Sequence, residues 1–156
     1  MLPVTARQPV VRPATPADAA AIRELLKAAS LPIDDLDHAD VQFWVAGEGS
    51  DVAGAIGLER SGSAGLVRSL VVTQSSRGAG LGRALVALLE REAEQSNVDE
   101  LVLLTQTAEA FFTALGYAPV DRSSVPEGLR ALEEFRSLCP ASAVCLQKRI
   151  GPASHS

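Results

Sequence analysis

The run Leu66-Val67-Arg68-Ser69-Leu70-Val71-Val72, followed by Ser75-Ser76-Arg77-Gly78-Ala79-Gly80-Leu81-Gly82, decides how this chain reads. An apolar strand enters a turn holding Gly78, Gly80 and Gly82, and a helix starts at once. Leu81, Leu85, Leu88 and Leu89 fall on one helical face, and Glu90, Arg91 and Glu94 on the other. Glycine lets backbone approach a ligand closely and take positive φ. The unpaired N–H groups and positive dipole end of a helix start favour phosphate. The segment therefore suits a pyrophosphate, with Arg77 and Arg83 flanking it. A P-loop would need Lys-Ser/Thr where Arg83-Ala84 stands. A dinucleotide fingerprint would need wider final glycine spacing and a βαβ unit. A glycine-rich connection with no ligand remains open on composition alone.

Three strand-like runs, Val41 to Ala46, Val52 to Glu59 and Leu66 to Val72, lead into the loop. The turns Gly47 to Asp51 and Arg60 to Gly65 join them into an antiparallel meander. Val10 and Val11 suggest a first strand, and Thr15-Pro16-Ala17-Asp18 a helix start, with Ala19, Ile22, Leu25, Leu26 and Ala29 at helical spacing. After the loop, Leu101 to Leu104 suits a buried parallel strand. Residues 107–115 read as a helix stopped by Gly116, Pro126 to Leu138 as a polar helix, and Ala143 to Gln147 as a last strand. The order predicts a mixed α/β (α+β) domain over residues 9–150, with flexible ends at 1–8 and 151–156.

With 156 residues the chain holds about one domain. Its net charge of −5 and 4% aromatic content argue against a nucleic-acid partner. No apolar run reaches the roughly 18 residues that span a bilayer, and Met1 to Gln8 lacks a signal-peptide apolar region. The expectation is a cytoplasmic protein with no membrane partner. Cys139 and Cys145 make no disulfide framework, and no metal site is expected. The two thiols suit soft ions, but six residues of extended chain span about 20 Å unless Pro140 bends it back. Small buried hydrophobes is the plainer reading.

Arg77-Gly78-Ala79-Gly80-Leu81-Gly82 resembles the Gln/Arg-x-x-Gly-x-Gly/Ala signature of the GNAT superfamily of acetyl-CoA-dependent acetyltransferases. Leu70-Val71-Val72 resembles the family's fourth strand, and Ala110 to Tyr117 its hydrophobic–Tyr–x–x–Leu–Gly–Phe segment. The element order from Val10 to Leu146 is also similar. Leu103 to Ala108, Phe111-Phe112 and Phe135 to Cys145 resemble, more narrowly, the GNAT proteins of bacterial arsenic-resistance operons.

The resemblance implies a central, mostly antiparallel mixed sheet with splayed parallel strands four and five, flanked by helices. It implies an N-acetyltransferase with acetyl-CoA as acyl donor, no metal, and a small-molecule amine as acceptor. Many relatives pair as homodimers. Pantetheine would lie between Leu66–Val72 and Leu101–Leu104, bonded near Leu70, Val71 and Val72, with amides from Arg77 through Gly82 and the charge of Arg83 holding the pyrophosphate. Thr105 stands where many members carry a cofactor-steadying asparagine. Phe112, a candidate cofactor contact, stands where many carry a tyrosine whose hydroxyl protonates the thiolate, and Arg68 where several carry a base glutamate.

The acid–base assignment then falls to other residues. If Glu59 pairs with Leu66 across the hairpin, Glu59 and Arg68 share one face as diagonal neighbours. Glu59 is then a candidate base, directly or through water, and Arg68 an anchor for an anionic substrate; a plain cross-strand ion pair is the alternative. Ser69 is a further catalytic candidate and is expected to face away from Arg68. Thr105 is a candidate donor near the sulfur, or a helix cap. His38, as a base or a substrate contact, and Trp44 are candidates for the acceptor wall; Phe43 and Trp44 point to opposite faces of their strand, so one is core and the other lines the acceptor pocket. Tyr117 reads as core rather than acid. A non-catalytic acyl-CoA-binding module and a protein-amine acetyltransferase are the alternative functions.

Overall fold

Thr15 marks the change from strand to helix, because its N–H and hydroxyl both donate to the Asp18 carboxylate, at 2.8 and 3.2 Å. Arg12 closes on the same carboxylate with two N–H bonds of 3.0 and 3.1 Å. These donors hold the Asp18 carboxyl down at about 2, Arg12 contributing most and the Thr15 amide next. A depressed carboxyl stabilises the fold above its unfolded value and loses that contribution as pH falls toward 2. Asp18→Asn is therefore expected to melt earlier at neutral pH and to flatten the loss of stability between about pH 4 and pH 2, read from melting curves across that range.

The computed structural model describes residues 10–31, 33, 36, 40–48, 51–74, 80–132, 135, 136 and 142–151. The strands are β1 (Val11–Pro13), β2 (Val41–Glu48), β3 (Asp51–Ser61), β4 (Ala64–Val72), β5 (Glu100–Thr105), β6 (Ala118–Pro119) and β7 (Val144–Arg149). The α-helices are α1 (Ala19–Ala28), α2 (Leu81–Gln95), α3 (Glu109–Ala114) and α4 (Glu127–Arg130). Among the described residues the strands form one seven-stranded sheet, ordered β1-β2-β3-β4-β5-β7-β6. The β4–β5 pair is parallel and the others are antiparallel. This is the expected mixed sheet with its antiparallel meander. The β3–β4 turn is tighter than expected, because Gly62 takes φ +61° and lets the strands run on to Ser61 and Ala64.

Alternation along the strands divides the core. On one face Trp44, Ile56, Leu58, Val67, Leu101 and Leu103 pack against Leu85 and Leu89 of α2 and Phe112 of α3. On the other, Val45, Ala55 and Val71 pack under Ile22 and Leu26 of α1. Further along that second face, Ala64, Leu66, Val102 and Cys145 pack under Val125, Leu129 and Phe135.

Among the described residues of the helix expected over Pro126 to Leu138, Phe135 and Arg136 lie in a π-helical turn, with Arg136 donating to the Leu132 carbonyl, and Glu127–Arg130 is an α-helix. Gly128 weakens it by about 1 kcal/mol relative to alanine, and a single turn has no cooperative length. That glycine has a packing reason: a Cβ there would lie 2.1 Å from the Ser61 hydroxyl. At the carboxyl end Gly151, assigned to the tail, is buried and donates to the Asp99 carbonyl. A Cβ at Gly151 would strike Asp99. The two-residue β6 was not foreseen. A strand that short, ending in proline, has no periodicity to read.

Candidate active site

Strands β4 and β5 pair only from Ala64↔Glu100 to Val67↔Leu103. Beyond that level each keeps its outer neighbour. β4 stays on β3 as far as Val72↔Gly54, and β5 stays on β7 through Leu104↔Cys145 and Thr105↔Val144. The two parallel strands therefore part at Arg68. The cause is a β-bulge: Ser69 and Leu70 together oppose Ile56, and Ser69 sits at φ +62°. A bulge bends its own strand and increases the local twist.

Strand alternation fixes which backbone groups face the gap. Thr73 donates to the Ala53 carbonyl, so Val71 also turns its backbone toward β3. Leu70 and Val72 line the edge toward β5. Of the three residues expected at the pantetheine, Val71 is thus the one directed elsewhere.

At the open end, α2 starts from Gly80, whose φ of +82° is left-handed. A Cβ at Gly80 would meet nothing within 4 Å, so glycine is needed there for conformation rather than space. The helix has no side-chain cap and no acidic residue in its first turn, a combination that leaves its positive end to an anion. Arg83 is exposed in that turn. Gly82 turns its missing side chain toward Phe111, whose ring lies 3.3 Å from the Cβ position. Arg77, Gly78, Ala79, His38 and Cys139 lie outside the described residues.

Phe112 does not line the gap. It is 4% exposed and packs edge-on to both Phe111 (5.0 Å) and Tyr117 (5.3 Å). The half-buried Phe111 is the ring that meets the start of α2. Its apolar spacing in Phe111-Phe112 was visible in the sequence, but not which ring turned inward. The Thr105 hydroxyl accepts the Ala108 N–H at 2.9 Å and so holds the entry to α3. Tyr117 is core, as expected. Its hydroxyl donates to Glu90 at 2.9 Å, and burial together with that carboxylate pushes its pKa up.

The polar centre lies on the face shared by α1 and α4. Glu59 pairs with Leu66 and Gly57 with Arg68, as the diagonal placement required. Arg68 Nη1 donates to Glu59 Oε1 at 3.1 Å. The Arg68 side chain has no exposed surface and that of Glu59 keeps 8%. This corrects the assignment of Arg68 as a substrate anchor, since a group without exposed surface does not touch an incoming molecule. Ser69 is corrected as well. Its left-handed φ breaks the strand alternation and brings its Oγ to within 3.2 Å of Arg68 Nε, which donates to it.

Trp44 is the third correction. It is fully buried in the core under α2, and its indole N–H has no hydrogen-bond partner. The aromatic on the Arg68 face is its neighbour Phe43. The Phe43 ring lies 3.0 Å from the position of a Gly57 Cβ, with Val41 at 2.9 Å. Phe43, Val41 and Gly57 thus form apolar surface beside the ion pair, and of the two adjacent aromatics Trp44 is the one in the core.

Cys145 is buried, and burial pushes its thiol pKa up, which disfavours the thiolate that soft ions require. Among the described residues no group of three or more His, Cys, Asp or Glu side chains could hold a metal, and no helix is long and apolar enough to cross a membrane.

This geometry has close parallels. The family model described as an acetyltransferase (GNAT) domain matches residues 14–133. An IAA acetyltransferase of Azospirillum brasilense is 32% identical over 87 residues, covering 54% of this chain and 57% of that protein. The matched stretch is thus little more than half of that relative's length. The crystal structure of Rv2747 from Mycobacterium tuberculosis, in a complex that includes CoA, is 25% identical with a TM-score of 0.76, covering 90% of this chain and 99% of that one. An acetyltransferase of the GNAT family from Staphylococcus aureus Mu50 has a TM-score of 0.74 over 92% of this chain and 99% of that one. At 16% identity it shares the fold alone.

Proposed function

The chain belongs to the GNAT acetyltransferases, and from that premise we propose that it transfers the acetyl group of acetyl-CoA directly to the amine of a small molecule. The observation that carries this reading is the parting of β4 from β5 at Arg68, with a glycine-started helix at the mouth of the gap. Acetyl-CoA is the acyl-donor substrate. Its pantetheine runs along Leu70 and Val72, its diphosphate meets the turn ending in Gly80, Leu81 and Gly82, and Arg83 adds charge. The chemistry of the site fits such a ligand: a strand edge for amides and an uncapped helix start for an anion.

Glu59 is the base in this reading. Its carboxylate, directly or through one water, takes a proton from the acceptor ammonium. The freed amine attacks the thioester carbonyl, a C–N bond forms and the C–S bond breaks. The nitrogen's second proton passes through a hydroxyl that takes it up as it gives its own proton to the departing sulfur, so the products are an amide and CoA thiol and the relay is left unchanged. Phe112 has no hydroxyl to supply that proton. The Thr105 hydroxyl, beside the gap at the end of β5, is the proposed donor, since a hydroxyl that accepts from Ala108 still has its own proton to give.

The finer proposal, a link to arsenic resistance, rests on the segments Leu103 to Ala108 and Phe135 to Cys145. It points to amino acids and their arsenical analogues as the first acceptors to try. A second reading, a non-catalytic acyl-CoA sensor, is favoured by Phe112 and by the buried state of Arg68.

Two measurements separate these readings. Acetyl-CoA at 100 times its Kd is expected to stabilise the fold by about 2.7 kcal/mol, raising the melting temperature by roughly 5–10 °C. Release of CoA thiol is expected to depend on added amine. An unmoved melting curve removes the donor claim, and binding without turnover across a broad amine panel supports the sensor.

A further inference from the structure

The fully buried guanidinium of Arg68 needs a function other than touching substrate. It lies at the level where β4 and β5 separate, and its bonds include Nη1 to Glu59 Oε1 (3.1 Å) and Nε to Ser69 Oγ (3.2 Å). The Ser69 contact exists because the bulge holds Ser69 at φ +62°. One backbone irregularity thus both opens the sheet and turns a hydroxyl onto the arginine. Across the hairpin Gly57 faces Arg68, and a Cβ there would strike Val41 and the Phe43 ring. The ion pair is therefore walled by packed backbone and apolar groups on the β3 side. A planar guanidinium bonded at Nε and Nη1 cannot rotate without breaking one of the two bonds. Breaking a buried pair by removing one partner leaves an uncompensated charge.

We propose that Ser69 and Arg68 form a positioning device, in which the bulge fixes the guanidinium and the guanidinium fixes the Glu59 carboxylate, ionised and aimed, at the edge of the acceptor site. Arg68 is then a positioning residue that never meets the acceptor. This rests on the reading of Glu59 as the base. It assigns to the chain a use of arginine at this strand position that differs both from a base and from a substrate anchor.

The test is a mutant cycle with kcat and KM measured separately, on wild type, Arg68→Met, Arg68→Lys, Glu59→Gln and the Arg68→Met/Glu59→Gln double variant. Arg68→Met is expected to lower kcat at least about tenfold with both KM values within about twofold, and Arg68→Lys to recover part of the loss. In the Glu59→Gln background, Arg68→Met is expected to change kcat by less than about twofold, because its only route to the chemistry has gone. The double variant carries no buried charge at either position and remains informative if Arg68→Met alone does not fold. Ser69→Ala, which removes the Nε acceptor, is expected to lower kcat by a smaller factor in the same direction.

A rise in acceptor KM at unchanged kcat would overturn the proposal in favour of a substrate anchor. An equal loss in the wild-type and Glu59→Gln backgrounds would overturn it in favour of an independent role. Absence of amine-dependent turnover in the wild-type protein would instead remove the reading on which it rests.

Discussion

Glu59→Gln is expected to lower kcat for amine acetylation by about 10²–10³-fold while leaving the KM for acetyl-CoA within about twofold. Glutamine keeps the shape and one acceptor oxygen for Arg68 Nη1, but it takes no proton at neutral pH. The size of the loss follows from the usual contribution of a positioned base. The selectivity follows from place: Glu59 lies on the face shared by α1 and α4, and the gap between β4 and β5 opens beyond it. The substitution also removes the Glu59 charge from a buried arginine, so the variant is expected to melt earlier. Rates are therefore compared well below its melting temperature. A full rate in a folded Glu59→Gln protein would exclude Glu59 from the proton transfer.

Gly57→Val is expected to lower kcat/KM for the acceptor by about 100-fold and to leave the acetyl-CoA-induced rise in melting temperature intact. A Cβ at this position starts 2.9–3.0 Å from Val41 and from the Phe43 ring, so Phe43 must swing away. The added methyl groups then occupy the space beside Glu59 and Arg68. Overpacking of this kind costs about 1–3 kcal/mol of stability, which a folded domain can absorb. Separate measurement of donor binding and acceptor turnover distinguishes a blocked acceptor face from a general loss of structure. Equal acceptor turnover in Gly57→Val would place the acceptor on some other surface.

Most of the fold is written in local patterns. The meander, α2 and the buried β5 follow from apolar periodicity and from glycines at turns, which are short-range signals. The hairpin register that joins Glu59 to Arg68 was also legible, because a two-residue side-chain period fixes diagonal neighbours once one pair is known. The bulge at Ser69 was not. It is a mismatch between two strands, and neither strand alone carries its mark. From it follows the error about the direction of Ser69.

Choosing between Trp44 and Phe43, or between Phe111 and Phe112, failed for a related reason. Adjacent aromatics point to opposite faces, and the sequence does not say which face a helix covers. In the structure α2 covers Trp44, and the turn of α3 buries Phe112 against Tyr117. Roles that depend on which face is covered become legible only once the layers are assembled.

The central claim is that the gap between β4 and β5 is a place for the pantetheine arm of acetyl-CoA. A crystal structure of the protein with CoA tests it most directly. The arm is expected between Leu70–Val72 and Leu104–Thr105, with its diphosphate against the amides that lead into α2 at Gly80. CoA bound elsewhere, with β4 and β5 hydrogen-bonded to each other past Val67 and Leu103, would contradict it.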